Sequence, residues 1–190
     1  MPAHLAIAPL AATPATISAL AETIIETVAH GGSVSFMHPL APEAAADFWT
    51  RSLAAAAAGG RVVLGATSDD GALIGTVTLL LDCPPNQPHR GEIAKLMTRV
   101  AHRGRGVARA LMLEAERLAA ERGRTLLTLD TAEEDGASGL YEKLGYAYAG
   151  MIPDYAFKPH GGLTGTMLYY KRIGPGTWDA GGEGRVAPAA

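Results

Sequence analysis

Chemistry is most concentrated in the segment HRGRGVAR, His102 to Arg109, where two glycines and several arginines separate a strand-like run ending near Val100 from a long helical one. The first backbone N–H groups of a helix have no carbonyl partner, and the helix macrodipole places partial positive charge beside them. Glycines there let an anion approach the backbone, so Arg103, Gly104, Arg105, Gly106, Val107 and Ala108 form a candidate pyrophosphate site. The spacing rules out two nucleotide loops. The pattern G-x-x-x-x-G-K-[ST] is absent, and G-x-G-x-x-G fails because Arg109 stands at the third glycine. A carboxylate, Asp130, closes the run TLLTLD, at the strand edge where ligands of open sheets collect. Aspartate before TAEEDG also serves well as a turn or helix-cap residue, and both readings stand on the residues alone.

The elements that must position these groups follow from periodicity. LAIAPL alternates like a short strand, and Thr13-Pro14 opens a helix with Leu20, Ile24 and Val28 on one face, ended by His30-Gly31-Gly32. A second helix runs from Pro42 through Phe48, Trp49 and Leu53 to Gly59-Gly60. RVVLGAT and LIGTVTLLL, joined by SDDGA, read as an antiparallel hairpin. GEIAKLMTRV reads as a third strand, with Ile93, Lys95 and Met97 on one face and Glu92, Ala94 and Leu96 on the other. A helix spans Gly104 to about Arg122 and stops at Gly123. TLLTLD is a buried strand, GASGLYEKLGY a short helix, and YAYAGMI and TMLYYKRI two closing strands. Residues 1–173 are expected to form one domain and residues 174–190, rich in Gly, Pro and Ala, a disordered tail.

Bulk composition narrows the function classes. At 190 residues, 48% hydrophobic and 18% charged, the chain has enough apolar material for one core. A net charge of −3 gives no global basic field, so a nucleic-acid partner is not expected. No apolar run approaches the ~20 residues of a membrane span. Cys83 is the only cysteine, and MPAHLAIAPLAA lacks a basic leader region, so a cytoplasmic setting is expected. The six histidines show no metal-ligand spacing, and no metal is expected.

Two motifs together narrow the reading further. Arg103, Gly106 and Ala108 fit [RQ]-x-x-G-x-[GA], which resembles the acyl-CoA pyrophosphate loop of the GNAT acetyltransferase superfamily, and ASGLYEKLGY resembles that superfamily's final helix. Within it, ETVAHGGSVSFM, EIAKLM, LLTLDTAE and IPDYAFKPHGGLTGTMLYYK resemble the tabtoxin-resistance acetyltransferases, from the first helix to about Lys171. The resemblance implies an α/β fold with a mixed, mostly antiparallel central sheet and helices on both faces. It implies acetyl-CoA as cosubstrate and acetyl transfer to the amine or hydroxyl of a small molecule, an amino-acid-like β-lactam toxin among the candidates. It also assigns roles: Glu92 and Asp130 as candidate general bases, Tyr141 as proton donor to the CoA sulfur, and the backbone of Met97 and Thr98 as support for the thioester and pantetheine arm. Phe36 and Tyr155 are the candidate acceptor-pocket aromatics, and the superfamily allows a homodimer through the C-terminal strands. Departures are Ala108 in place of the more usual glycine, Glu134 where many members carry asparagine, and a tail beyond Ile173 without counterpart. The alternatives are a different acceptor (a polyamine, an aminoglycoside, a protein N-terminus or lysine) and a non-catalytic acyl-CoA-binding module.

Overall fold

The computed structural model describes residues 5–133 and 138–174. Their order is β1 (Ala6–Pro9), α1 (Pro14–Ala29), α2 (Pro42–Ala57), β2 (Arg61–Thr67), β3 (Leu73–Leu80), β4 (Arg90–Thr98), a 3-10 turn (Val100–His102), α3 (Val107–Glu121), β5 (Leu126–Ala132), α4 (Ser138–Lys143), β6 (Ala147–Phe157) and β7 (Leu163–Arg172). Glu134, the departure noted above, and the tail from residue 175 lie outside the described residues. No described helix is long and apolar enough to cross a membrane.

Seven strands form one sheet in the order β1-β2-β3-β4-β5-β7-β6, with every neighbour antiparallel except β4 and β5. Helices cover both faces, as expected. On one face α1 contributes Leu20, Ile24 and Val28, and α2 contributes Ala45, Trp49 and Leu53, packed with Val63 and Met97. On the other face α3 sets Val107, Leu111, Met112, Ala115, Leu118 and Ala119 against Leu64, Val77, Leu79, Ile93 and Leu127. Each large aliphatic side chain fully removed from water there contributes roughly 1.5–3 kcal/mol, so the two layers clamp the sheet from both sides.

Local chemistry sets the helix ends. The Thr13 hydroxyl accepts from the Thr16 N–H at 3.1 Å and Pro14 occupies the first turn of α1. The third helix begins at Val107 rather than Gly104, because Gly104 and Gly106 adopt φ of 72° and 82°, which are left-handed values incompatible with helix continuation. The strand β6 extends well past YAYAGMI, through Pro153 and Asp154. Its register with β7 jumps between Ile152 and Ala156, so the proline sits in a bulge of the sheet's edge strand, where its missing N–H leaves no ladder bond broken.

Candidate functional site

The parallel pair β4 and β5 is registered only at Arg90 with Leu126, Gly91 with Leu127 and Glu92 with Thr128. Beyond those positions the strands separate, and a cleft of about 650 Å³ opens between their C-terminal halves. Its walls are the far end of β4, the end of β5, the loop after α1, the start of α3, helix α4, and the β6–β7 hairpin. The loop after α1 is docked onto that hairpin: the His38 N–H donates to Pro159 O at 2.9 Å and His160 Nε2 donates to Ala29 O at 3.1 Å.

A bulge in β4 accompanies the separation. Ala94 opposes Thr78 but Met97 opposes Thr76, so β4 carries one residue more than β3 across this stretch, and Lys95 takes φ 53°. The simple alternation expected for this strand is therefore corrected. Ile93 packs in the α3 layer while Met97 packs in the α1–α2 layer, although period two would put them on one face. Glu26 of α1 holds the end of the strand: its carboxylate accepts from the Val100 N–H and from Arg99 Nε, each at 2.8 Å. Burial works against the charge on Glu26, but these donors outweigh it and hold the group below the usual carboxylate range.

At the other end of the cleft lies the start of α3. The first N–H of that helix to meet a carbonyl is that of Ala110, on Gly106 O at 3.0 Å, and no side chain caps the end. The N–H groups of Val107, Ala108 and Arg109 thus lie in the first turn with no helical partner. Arg103 and Ala108 line the cleft, Gly104, Arg105 and Gly106 are exposed beside them, and the Val107 side chain turns into the core. A Cβ on Gly104 or Gly106 would meet no atom within 4 Å, so these glycines are required by backbone conformation and not by crowding.

Of the other residues singled out by sequence, Met97, Thr98, Asp130, Tyr141 and Tyr155 line this one cleft. Asp130 accepts from Thr166 Oγ1 at 3.0 Å. Tyr141 is 6% exposed, its ring packed against Tyr146 and Tyr169. Two candidates lie off the wall. Glu92 sits where β4 and β5 are still paired and binds Arg90 Nη1 at 3.1 Å, the same nitrogen that donates to Thr128 Oγ1. Phe36 packs edge-on against Phe48 of α2, with ring centroids 5.3 Å apart. Among the described residues no group of three or more His, Cys, Asp or Glu side chains could hold a metal.

Sequence reasoning missed Lys95 and Ser35. Lys95 Nζ donates to Ser35 Oγ at 3.0 Å inside the cleft, and the ammonium lies 5.8 Å from the centroid of the Phe48 ring. Burial drives the Lys95 pKa down, partly opposed by the negative charges of Asp130 and Glu92. Three non-glycine residues among those described have left-handed backbone: Ser35, Lys95 and Asp154. The first two line the cleft and the third precedes Tyr155, which also does. Such conformations cost about 1–3 kcal/mol each and persist where surrounding structure enforces them, commonly at functional sites. A lone lysine in a strand carries no mark of this in sequence.

Comparison with known proteins agrees with the fold. The family model described as the acetyltransferase (GNAT) family matches residues 26–146, most of the chain. Among solved structures, yncA of Salmonella typhimurium, solved with its cofactor acetyl-CoA, superposes with a TM-score of 0.78 at 18% identity, covering 98% of this chain and 99% of that one. A phosphinothricin acetyltransferase from Sinorhizobium meliloti, in complex with acetyl-CoA, gives 0.75 at 22% identity, covering 93% and 91%. A GCN5-related N-acetyltransferase from Kribbella flavida gives 0.74 at 24%, covering 89% and 98%.

Proposed function

Because the chain belongs to the acetyltransferase (GNAT) family, we propose that it transfers the acetyl group of acetyl-CoA to the amine or hydroxyl of a small molecule. The observation that carries this reading is the single cleft in which a donor-rich helix start, two separated parallel strands, a carboxylate and a phenol meet. Acetyl-CoA supplies the activated acyl group. The N–H groups at the start of α3, with Arg103 and Arg105, would hold its pyrophosphate. Past Glu92 the edge of β4 that faces β5 has no strand partner, so the backbone of Met97 and Thr98 can bind an extended amide-bearing arm and polarise the thioester carbonyl.

In the reaction the acceptor nitrogen attacks the thioester carbon, the C–S bond breaks, and the proton lost by nitrogen passes to a carboxylate. Asp130, on the cleft wall and hydrogen-bonded by Thr166, would take that proton directly. Glu92, tied to Arg90, would act through water or through its charge. Tyr141 delivers a proton to the departing thiolate and regains one from solvent. General acid–base groups of this kind are worth roughly 10²–10⁴-fold in rate.

Each of the four tabtoxin-resistance-like stretches contributes to the cleft: Thr27 to Ser35 in part, Ile93 to Met97, Asp130 to Ala132, and Tyr155 to Phe157. That supports a small amino-acid-like acceptor, a toxin among the candidates, with a protective role in the cytoplasm where acetyl-CoA is made and used. A polycationic acceptor fits less well, since Asp130 is the only carboxylate among the described lining residues and the cations Lys95 and Arg103 line the same cleft. Self-association through β6 and β7 is supported by Met151 and Ile152, exposed on the edge strand β6, and by Leu163 and Leu168, exposed on its neighbour β7. The testing experiment is calorimetric titration of acetyl-CoA followed by a thiol-release assay over a panel of amines. Micromolar binding and acceptor-dependent thiol release are expected, and failure to bind acetyl-CoA overturns the proposal.

A further inference from the structure

We propose that Lys95 and Ser35 form an anion subsite at the acceptor end of the cleft, so that the enzyme selects amines that also carry an acidic group such as a carboxylate. The inference rests on the acetyltransferase reading and adds to it the charge pattern of the acceptor.

A partly buried ammonium such as that of Lys95 is better held by an anionic or multiply accepting partner than by a lone hydroxyl. Lys95 has one hydrogen bond, to the neutral hydroxyl of Ser35, and no salt bridge among the described residues. Asp130 and Glu92 act on it only at longer range, and Glu92 is already occupied by Arg90. Two donors therefore converge on one spot: two protons remain on Nζ after the Ser35 bond, and the Ser35 hydroxyl, an acceptor from Lys95, keeps its own proton to give. Both residues hold left-handed backbone, which neither side chain favours, and the β4 bulge fixes Lys95 where it lines the cleft. A carboxylate would complete this pair with two charge-assisted hydrogen bonds.

The location separates this subsite from the diphosphate site. Lys95 lies with the loop after α1 and beside Phe48 of α2, whereas Arg103 and Ala108 mark the helix start that would take phosphate. Asp130, held by Thr166, faces the same cleft. A zwitterionic acceptor would thus be read at both ends, its acidic group by Lys95 and Ser35 and its amine by Asp130, leaving the amine beside the group that deprotonates it.

The test compares amino acids with their own α-carboxamides, which keep the amine and lose the α-carboxylate charge. Phosphinothricin, L-methionine and L-lysine, each with its carboxamide, would be assayed by thiol release and by calorimetry on the acetyl-CoA-loaded enzyme. The wild type is expected to prefer the acid by about 10- to 100-fold in kcat/KM or in affinity. Lys95→Met should reduce that preference to within about 2-fold, Lys95→Arg should restore part of it, and both should keep the wild-type KM for acetyl-CoA. Circular dichroism guards against misfolding, and Ser35→Ala, outside any regular element, gives a second and smaller loss of preference. A wild type that binds acetyl-CoA yet treats acid and amide alike, or binds none of the acids, overturns the subsite alone. So does a Lys95→Met enzyme that keeps the preference or loses acetyl-CoA affinity instead. A wild type that does not bind acetyl-CoA overturns the acetyltransferase reading beneath it.

Discussion

Replacing Gly106 separates the two properties that the start of α3 combines, its backbone conformation and its attraction for anions. Gly106 stands at φ 82° and ψ 2°, and a Cβ there would meet no atom within 4 Å. Gly106→Ala therefore meets no steric obstacle and loses only the left-handed conformational preference, about 1–2 kcal/mol of stability. Gly106→Glu carries the same backbone penalty, but its carboxylate lies at the positive end of α3, which returns about 0.3–1 kcal/mol. Thermal unfolding should consequently rank the glutamate variant equal to or slightly above the alanine one.

Acetyl-CoA affinity should rank them the other way. A carboxylate about 5 Å from one pyrophosphate charge is opposed by about 1–3 kcal/mol for effective dielectric constants between roughly 80 and 20. That corresponds to binding about 5- to 150-fold weaker. Gly106→Ala, which adds no charge and no clash, should stay within about 3-fold of wild type. Calorimetric titrations of all three proteins at low and high salt supply the measurement, with the glutamate penalty shrinking as salt screens it. Equal affinity of the two variants would refute the placement of the diphosphate at this helix start.

Other expectations follow from the same geometry. Tyr141→Phe keeps the ring packed against Tyr146 and Tyr169, so acetyl-CoA affinity by calorimetry should be retained while single-turnover acetyl transfer slows by about 10²-fold; undiminished transfer would remove Tyr141 from the mechanism. Glu26 titrates below its ordinary value of 4.5 in the fold. Its contribution to stability is therefore present above that value and is lost as pH falls through the lowered folded pKa, so urea midpoints taken from about pH 7 to about pH 3 should fall less for Glu26→Gln than for wild type over that acidic window. Met151→Glu, on the exposed face of β6, should convert a wild-type dimer to monomer in sedimentation velocity, and a monomeric wild type would end the proposal that β6 and β7 join two copies.

What was legible in the sequence is what local rules govern. The glycine-rich helix start, the proline-led helices and the Asp-Gly hairpin each follow from a residue whose backbone preference is strong, and the apolar spacing of α3 points at the layer it covers. What was not legible depends on partners distant in the chain. Lys95 holds φ 53° without being glycine, asparagine or aspartate, so nothing in EIAKLM marks the bulge. Pro153 broke the strand pattern in β6, although an edge position made it harmless. Phe36, inside a family-like word, packs on Phe48 because the loop after α1 lies over α2, a contact no periodicity reveals. Glu26 carries no local mark of its role, because its partners Arg99 and Val100 lie more than 70 residues away.

The extra residue in β4 links fold to site more tightly than any motif does. Bulges increase local twist and bend the strand that carries them. Here the bend comes just after the last β4–β5 pair, so the two parallel strands cannot stay in hydrogen-bonding distance and the cleft opens where the bulge begins. The same insertion turns Met97 toward α1 and α2, anchoring the displaced half of the strand in a second apolar layer, and Glu26 fixes its end through Val100. The strain at Lys95 is thus balanced by packing and hydrogen bonds that form only in the bent arrangement. A regular strand at this position would keep β4 and β5 paired, close the cleft, and leave neither an unpaired β4 edge nor Lys95 on the cleft wall.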